Sequence, residues 1–130
     1  MKLTNVPSYN PVWSPDNARI AFYDGSIGGA TFPLKSVSPN GDPLPIPDVA
    51  YRGEYEGYRF TPDGKAIVMP QGQFRAMDFW MIDIATGAQR RLTALKPGYS
   101  VPNFDISPDG KEILFDRVQE NSDIVLINRR

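Results

Sequence analysis

Three aspartates at matching places are the most suggestive chemical groups in this 130-residue sequence: Asp16, Asp63 and Asp109. Carboxylates recurring at a fixed interval are a way to hold a divalent cation such as calcium. Here the interval is 47 and then 46 residues, and each aspartate directly follows a proline. An Asp in that position caps its own turn by accepting backbone N–H groups just ahead of it, so a structural role is expected and no metal site is assigned. Asp78, Asp83 and Asp123 stand beside apolar runs, where local hydrogen bonding is again the expected use.

The sequence contains neither histidine nor cysteine. A Ser-His-Asp triad, a histidine general base, a histidine-ligated metal and a thiol nucleophile are therefore excluded within it. No Gly-x-Ser-x-Gly elbow, phosphate-binding glycine loop or dinucleotide fingerprint is present, and Gly25 to Gly29 reads only as a loop. No catalytic residue and no cofactor are expected, and the chain reads as non-enzymatic.

Two charges and one loop remain as candidates for binding. Arg59 and Asp105 replace Val12 at one equivalent place in an internal repeat, on the side of a strand opposite Trp13, Phe60 and Ile106. Charges there must pair with each other, meet water, or meet a ligand. Pairing between neighbouring units is the simpler expectation. The stretch Tyr51-Arg52-Gly53-Glu54-Tyr55-Glu56-Gly57-Tyr58 sets tyrosines beside arginine, the composition of a rigid, amphipathic contact surface. The candidate surface is thus Tyr51, Arg52, Tyr55, Tyr58, Arg59 and Asp105.

The repeat that positions these groups is marked by Ser14-Pro15-Asp16-Asn17, Thr61-Pro62-Asp63-Gly64 and Ser107-Pro108-Asp109-Gly110. Before each turn an apolar alternation is found: Pro11 and Trp13, Tyr58 and Phe60, Phe104 and Ile106. After each comes a β-rich run: Ile20-Ala21-Phe22, Ile67-Val68-Met69 and Ile113-Leu114-Phe115. Proline presets φ, and Gly or Asn accepts the left-handed backbone, so each motif joins two strands in a hairpin. A third strand is expected at Phe32 to Val37, Asp78 to Asp83 and Asp123 to Asn128. Pro33 removes a ladder donor and predicts that the first of these is irregular or near an edge. Short outer strands follow, from Asn40-Gly41 to Pro45-Ile46-Pro47 and from Thr86-Gly87 to Arg91-Leu92-Thr93. The proline-rich Pro43 to Pro47 would stiffen the outer edge and block further pairing.

Each unit therefore predicts a four-stranded antiparallel meander, and the fold class is all-β. A sandwich would also show frequent turns, but it has no reason to repeat one turn sequence at a constant period. A four-stranded unit of this length is the size of a propeller blade. The blades are expected at about 5–47, 48–93 and 94–130, with residues 1–4 as a strand closing a last blade, because Lys2-Leu3-Thr4 resembles Arg91-Leu92-Thr93.

The composition agrees with a folded domain: 41% hydrophobic and 22% charged residues, with 13 prolines and 11 glycines distributed between the apolar runs. A net charge of −1 and the absence of a basic stripe give no footprint for nucleic acid. The start Met1-Lys2-Leu3-Thr4-Asn5 has no apolar leader core, and no run of about 18 apolar residues occurs, so no membrane partner is expected. The compartment stays open.

The Ser-Pro-Asp-Gly turn, the Lys-x-Ile-x-Phe-like strand after it and the Asp-x-x-x-x-Asp strand ending in Thr-Gly together resemble the TolB-type propeller repeat. Ser107 to Phe115 with Asp123 to Asn128 is the best instance, and Thr61 to Met69 with Asp78 to Gly87 the next. This resemblance implies a bladed, partner-binding scaffold. It is also found in propellers that cap peptidases and in modules behind kinase or winged-helix regulators of large bacterial proteins. Three blades cannot close a ring that typically needs about four to eight. The bare faces would expose groups such as Trp13 and Phe104, each worth about 1.5–3 kcal/mol when buried. Either a second copy giving six blades, with exchanged N-terminal strands, or the remainder of a longer chain is expected to cover them. A propeller enzyme fragment with a carboxylate and divalent-metal site for carbohydrate or lactone, and a sensor or assembly domain of a larger regulator, are the alternatives.

Overall fold

The computed structural model describes residues 1–51 and 57–119, the side chain of Tyr51 excepted. Among the described residues there is no helix, and the strands fall into successive antiparallel sheets. In the first, β1 (Ser8–Trp13), β2 (Ile20–Asp24), β3 (Phe32–Val37) and β4 (Pro43–Leu44) lie in chain order, and β5 (Ala50–Tyr51) pairs with the start of β3. The second runs β6 (Arg59–Phe60), β7 (Ala66–Gln73), β8 (Ala76–Asp83) and β9 (Gln89–Arg91). The third holds β10 (Phe104–Ile106) and β11 (Ile113–Phe115), extended by a bridge between Ser100 and Val118. The expected strand from Asp123 to Asn128 lies outside the described residues. Consecutive meanders of this kind are β-propeller blades.

One turn chemistry sets the same register three times. Trp13 pairs with Ile20, Phe60 with Ile67, and Ile106 with Ile113. The Ser14, Thr61 and Ser107 hydroxyls each donate to the following aspartate at 2.6 Å. Those aspartates in turn accept the N–H groups of Ala18, Lys65 and Lys111 at 3.0, 3.0 and 3.1 Å. Asn17, Gly64 and Gly110 take φ of 58°, 71° and 73°, the left-handed region that glycine or asparagine enters at least cost.

Strand alternation sends side chains to both faces of each sheet, and the cores lie between sheets. Ala21, Tyr23 and Leu34 of the first sheet meet Tyr58, Phe60, Ile67 and Met69 of the second. Val68 and Phe79 on the opposite face of the second sheet meet Val101 and Phe104, with Ile113 and Phe115 packed against them. Each sheet thus has a leading face toward the preceding unit and a trailing face toward the next. A third cluster, Ile20, Phe22 and Val37, occupies the leading face of the first sheet and is covered by Leu3 and Val6.

Three expectations are corrected. Phe104 is 3% exposed, because it points back at the second sheet, where its ring lies 5.0 Å from that of Phe79. Leu114 is the group left bare, at 79% exposure. Pro33 does not disturb β3: the ladder with β2 stops at the Tyr23–Leu34 pair, so the missing donor falls beyond it. The irregularity is instead in β1, where the register shifts between Tyr9 and Val12 and Asn10 has φ 54°. Residues 1–4 form no strand among the described residues of the single chain, and the ladder expected of them is with a last blade elsewhere in a ring. Leu3 leans on the first sheet. The outer strands are also shorter than expected, because prolines at 43, 45 and 47 remove donors on the first.

Candidate functional site

The two charges singled out on the innermost strands are brought to one place. Arg59 lies on β6 and Asp105 on β10, the equivalent strand of the next blade, and both line a recess of about 180 Å³ with Asn103, Phe104, Leu114 and Asp116. They do not form an ion pair. The Arg59 guanidinium stacks over the Phe104 ring, 5.3 Å from its centroid, and donates to the Tyr58 carbonyl oxygen at 3.0 Å. The Asp105 carboxylate accepts the N–H of Ile106 at 2.8 Å and is exposed. A cation on an aromatic face is worth about 0.5–1 kcal/mol at an open site, enough to aim the guanidinium without saturating its donors. The recess offers a fixed cation, an exposed carboxylate and an apolar floor within one small surface.

Tyr58 takes a different position from the one expected of it. It is fully buried, its ring edge-on to Tyr23 at 5.2 Å, and its hydroxyl donates to the Asn10 carbonyl oxygen at 3.0 Å. Burial, reinforced by the neighbouring Tyr23, pushes the Tyr58 hydroxyl well above the ordinary tyrosine range. The alternation Tyr58, Arg59, Phe60 puts the first and third residues on the core face, and this corrects the assignment of Tyr58 to an exposed surface. The backbone of Tyr51 belongs to β5, while Arg52 and Tyr55 lie outside the described residues.

A larger recess of about 450 Å³ was not foreseen. Val49, Met69 and Met77 form its apolar wall, and the amides of Gln71, Gln73 and Gln89 reach its surface. The signal available in the sequence was Pro70-Gln71-Gly72-Gln73, polar residues continuing a strand after its apolar run ends.

The recurring carboxylates are used where they stand. Asp16, Asp63 and Asp109 are held below the ordinary carboxylate value, first by the Ser14, Thr61 and Ser107 hydroxyls and then by the backbone N–H ahead of each. Asp83 is lowered by the N–H and hydroxyl of Thr86. For Asp78, burial pulls upward, but the Leu95 N–H, the Thr93 hydroxyl and Arg91 outweigh it and lower the group. Arg91 closes that contact at 2.6 Å, fastening the outer strand to β8. Among the described residues, no three potential ligands converge on one point as a metal site would require.

No family model matches the chain, and no curated protein does. Among solved structures it is similar to a protein assigned as a TolB from Agrobacterium tumefaciens, at 19% identity and a TM-score of 0.41. The match covers 88% of this chain and 55% of that one, so the chain spans about half the length of that structure.

Proposed function

We propose that this chain is half of a non-enzymatic, TolB-like propeller scaffold. A second copy completes a six-bladed ring, and a protein or peptide binds at the channel mouth. The blades are those at 5–47, 48–93 and 94–130, and residues 1–4 serve as the closing outer strand of the partner's last blade. One observation carries this: positions that are equivalent in the repeat differ sharply in burial. Ala21 and Val68 are 0% and 2% exposed because the next blade covers them, whereas Leu114 at the same place is 79% exposed. On the leading side, Phe60 is 7% exposed and Trp13 is 53%. Large apolar groups left open on faces built to be covered mark an interface.

Two chains of three blades close a ring by one two-fold rotation, the commonest symmetry of soluble oligomers. The ligand surface is then the Arg59–Asp105 recess together with the Tyr51-Arg52-Gly53-Glu54-Tyr55 loop. Arg59 and Asp105 lie on the innermost strands β6 and β10, whose ends line a propeller's channel. A bound acidic side chain would satisfy the Arg59 donors left over from the Tyr58 carbonyl.

Sedimentation equilibrium tests the ring. A particle of twice the 14.5 kDa chain mass is expected, and a particle of one chain mass across the micromolar range overturns it. Peptides selected from a random library against that particle test the binding surface. They are expected to lose at least about tenfold in affinity to the Arg59→Ala variant, an effect of about 1.4 kcal/mol. Peptides that bind the variant equally well place the ligand elsewhere.

A further inference from the structure

We infer that the two copies meet head to tail, the Leu114 face of one against the Trp13 face of the other, in the register that the chain already uses at its two internal blade contacts. This rests on the two-copy ring proposed above and specifies its seam.

The internal contacts show what a blade junction consists of. At each, the central position of the second strand on the trailing face, Ala21 or Val68, shares a core with the leading-face residue before the turn of the next blade, Phe60 or Ile106. The turns also stack. A Cβ on Gly64 would lie 3.7 Å from Cδ of Pro15, and a Cβ on Gly110 would lie 3.2 Å from Cδ of Pro62. The turn of each blade therefore rests on the proline of the blade before it.

Two half-junctions are then left over, and they are complementary. The third blade ends with Leu114 and Pro108 unmatched on its trailing side. The first begins with Trp13 and Asn17 unmatched on its leading side. Advancing the same junction one step past the third blade sets Trp13 of a second copy against Leu114, and Asn17 against Pro108. Leu3 and Val6 support this direction. They cover Ile20 and Phe22, and the equivalent Ile113 and Phe115 are covered by Leu92 and Leu95, which come from the end of the preceding blade. The N-terminal segment thus occupies the place of a preceding blade's outer edge, which marks this face as one that another blade adjoins.

A face-to-face arrangement would set Trp13 against Trp13 and leave Leu114 open. Head-to-tail pairing covers both and, with three blades per chain, closes after two copies, so no open filament results.

Because the chain has no cysteine, thiols can be placed at will. Asn17→Cys and Pro108→Cys are made separately, and each protein is treated with a short bismaleimide alone and after mixing with the other. Covalent dimer is expected from the mixture and not from either variant alone. Dimer from Asn17→Cys alone, or none from the mixture while the particle mass remains that of two copies, overturns the seam and leaves a two-copy particle of another arrangement, whereas the peptide-binding surface is tested separately by Arg59→Ala. A second measurement does not depend on those turns. Trp13→Asp and Leu114→Lys are each expected to weaken self-association at least tenfold, while their equimolar mixture, which retains one unaltered seam, associates more tightly than either. Unchanged association of Leu114→Lys, or a mixture no tighter than the weaker variant, overturns the head-to-tail contact. A wild-type particle of one chain mass overturns the ring and the seam together. Both side chains are exposed in the single chain, and far-ultraviolet circular dichroism of each variant checks that the blades persist.

Discussion

The Tyr58 hydroxyl donates to the Asn10 carbonyl oxygen at 3.0 Å, joining the innermost strands of two blades across 48 residues of sequence. Asn10 is held there in the left-handed region at φ 54°, and Gly57 makes room for it: a Cβ at Gly57 would stand 2.7 Å from the Asn10 side-chain nitrogen. The bond, the strained asparagine and the glycine form one junction between blades.

Replacing Tyr58 by Phe keeps the ring and strands the Asn10 carbonyl. A loss of about 1–3 kcal/mol is expected, the usual cost of an unpaired buried polar group. Urea denaturation of the variant against the wild type measures it, and an unchanged midpoint would show that water replaces the hydroxyl.

Alkaline pH acts on the same residue. Its pKa in the folded chain is raised above the ordinary 10.0, so the stabilisation it reports is fully present below that value and is lost as pH rises through the folded pKa. Absorbance titration of native protein should show Tyr58, identified by comparison with the Tyr58→Phe variant, ionising only as the chain unfolds.

The three turn aspartates give the opposite dependence. Their folded pKa values are depressed below the ordinary 3.8, so their contribution is present above that value and disappears as pH falls through the folded range. The melting temperature should therefore fall as pH drops below about 4. A variant carrying Asp16→Asn, Asp63→Asn and Asp109→Asn should be less stable at pH 7 and flatter across the acid range.

Glycine positions separate strain from crowding. Gly110→Ala meets both a φ of 73° and Pro62 at 3.2 Å, whereas Gly64→Ala meets a similar φ of 71° but only ordinary contact at 3.7 Å. Both should lose about 1–2 kcal/mol to the left-handed backbone, with Gly110→Ala the worse of the two. Gly28→Ala, with nothing within 4 Å, is the neutral control. Chemical denaturation of the three ranks them.

Phe79 is the hub of the second blade contact, fully buried with ring centroids 5.0 Å from Phe104 and 5.2 Å from Phe115. Phe79→Ala should cost about 3–5 kcal/mol. Hydrogen exchange should then show the β10–β11 hairpin opening before the first sheet does.

The three hairpins, their register and the task of the turn aspartates were legible in the sequence because every contact involved spans about five residues. Ser14 to Asp16, Thr61 to Asp63 and Ser107 to Asp109 close their own turns whatever surrounds them. The alternation that follows each turn likewise separates two faces without saying what each face meets. That was decided only by tertiary structure. Trp13, Phe60 and Ile106 are alike in pattern, as are Ala21, Val68 and Leu114, yet their burial diverges because a neighbouring blade lies against some of them and not others. Tyr58 passed for a surface tyrosine and Phe104 for a bare one for the same reason. Arg59 and Asp105 passed for an ion pair, but the Phe104 ring lies where the guanidinium stacks and takes the cation instead. Local hydrogen bonds follow from neighbouring residues, whereas burial follows from contacts a blade's length away in the chain, which no stretch of the sequence contains by itself.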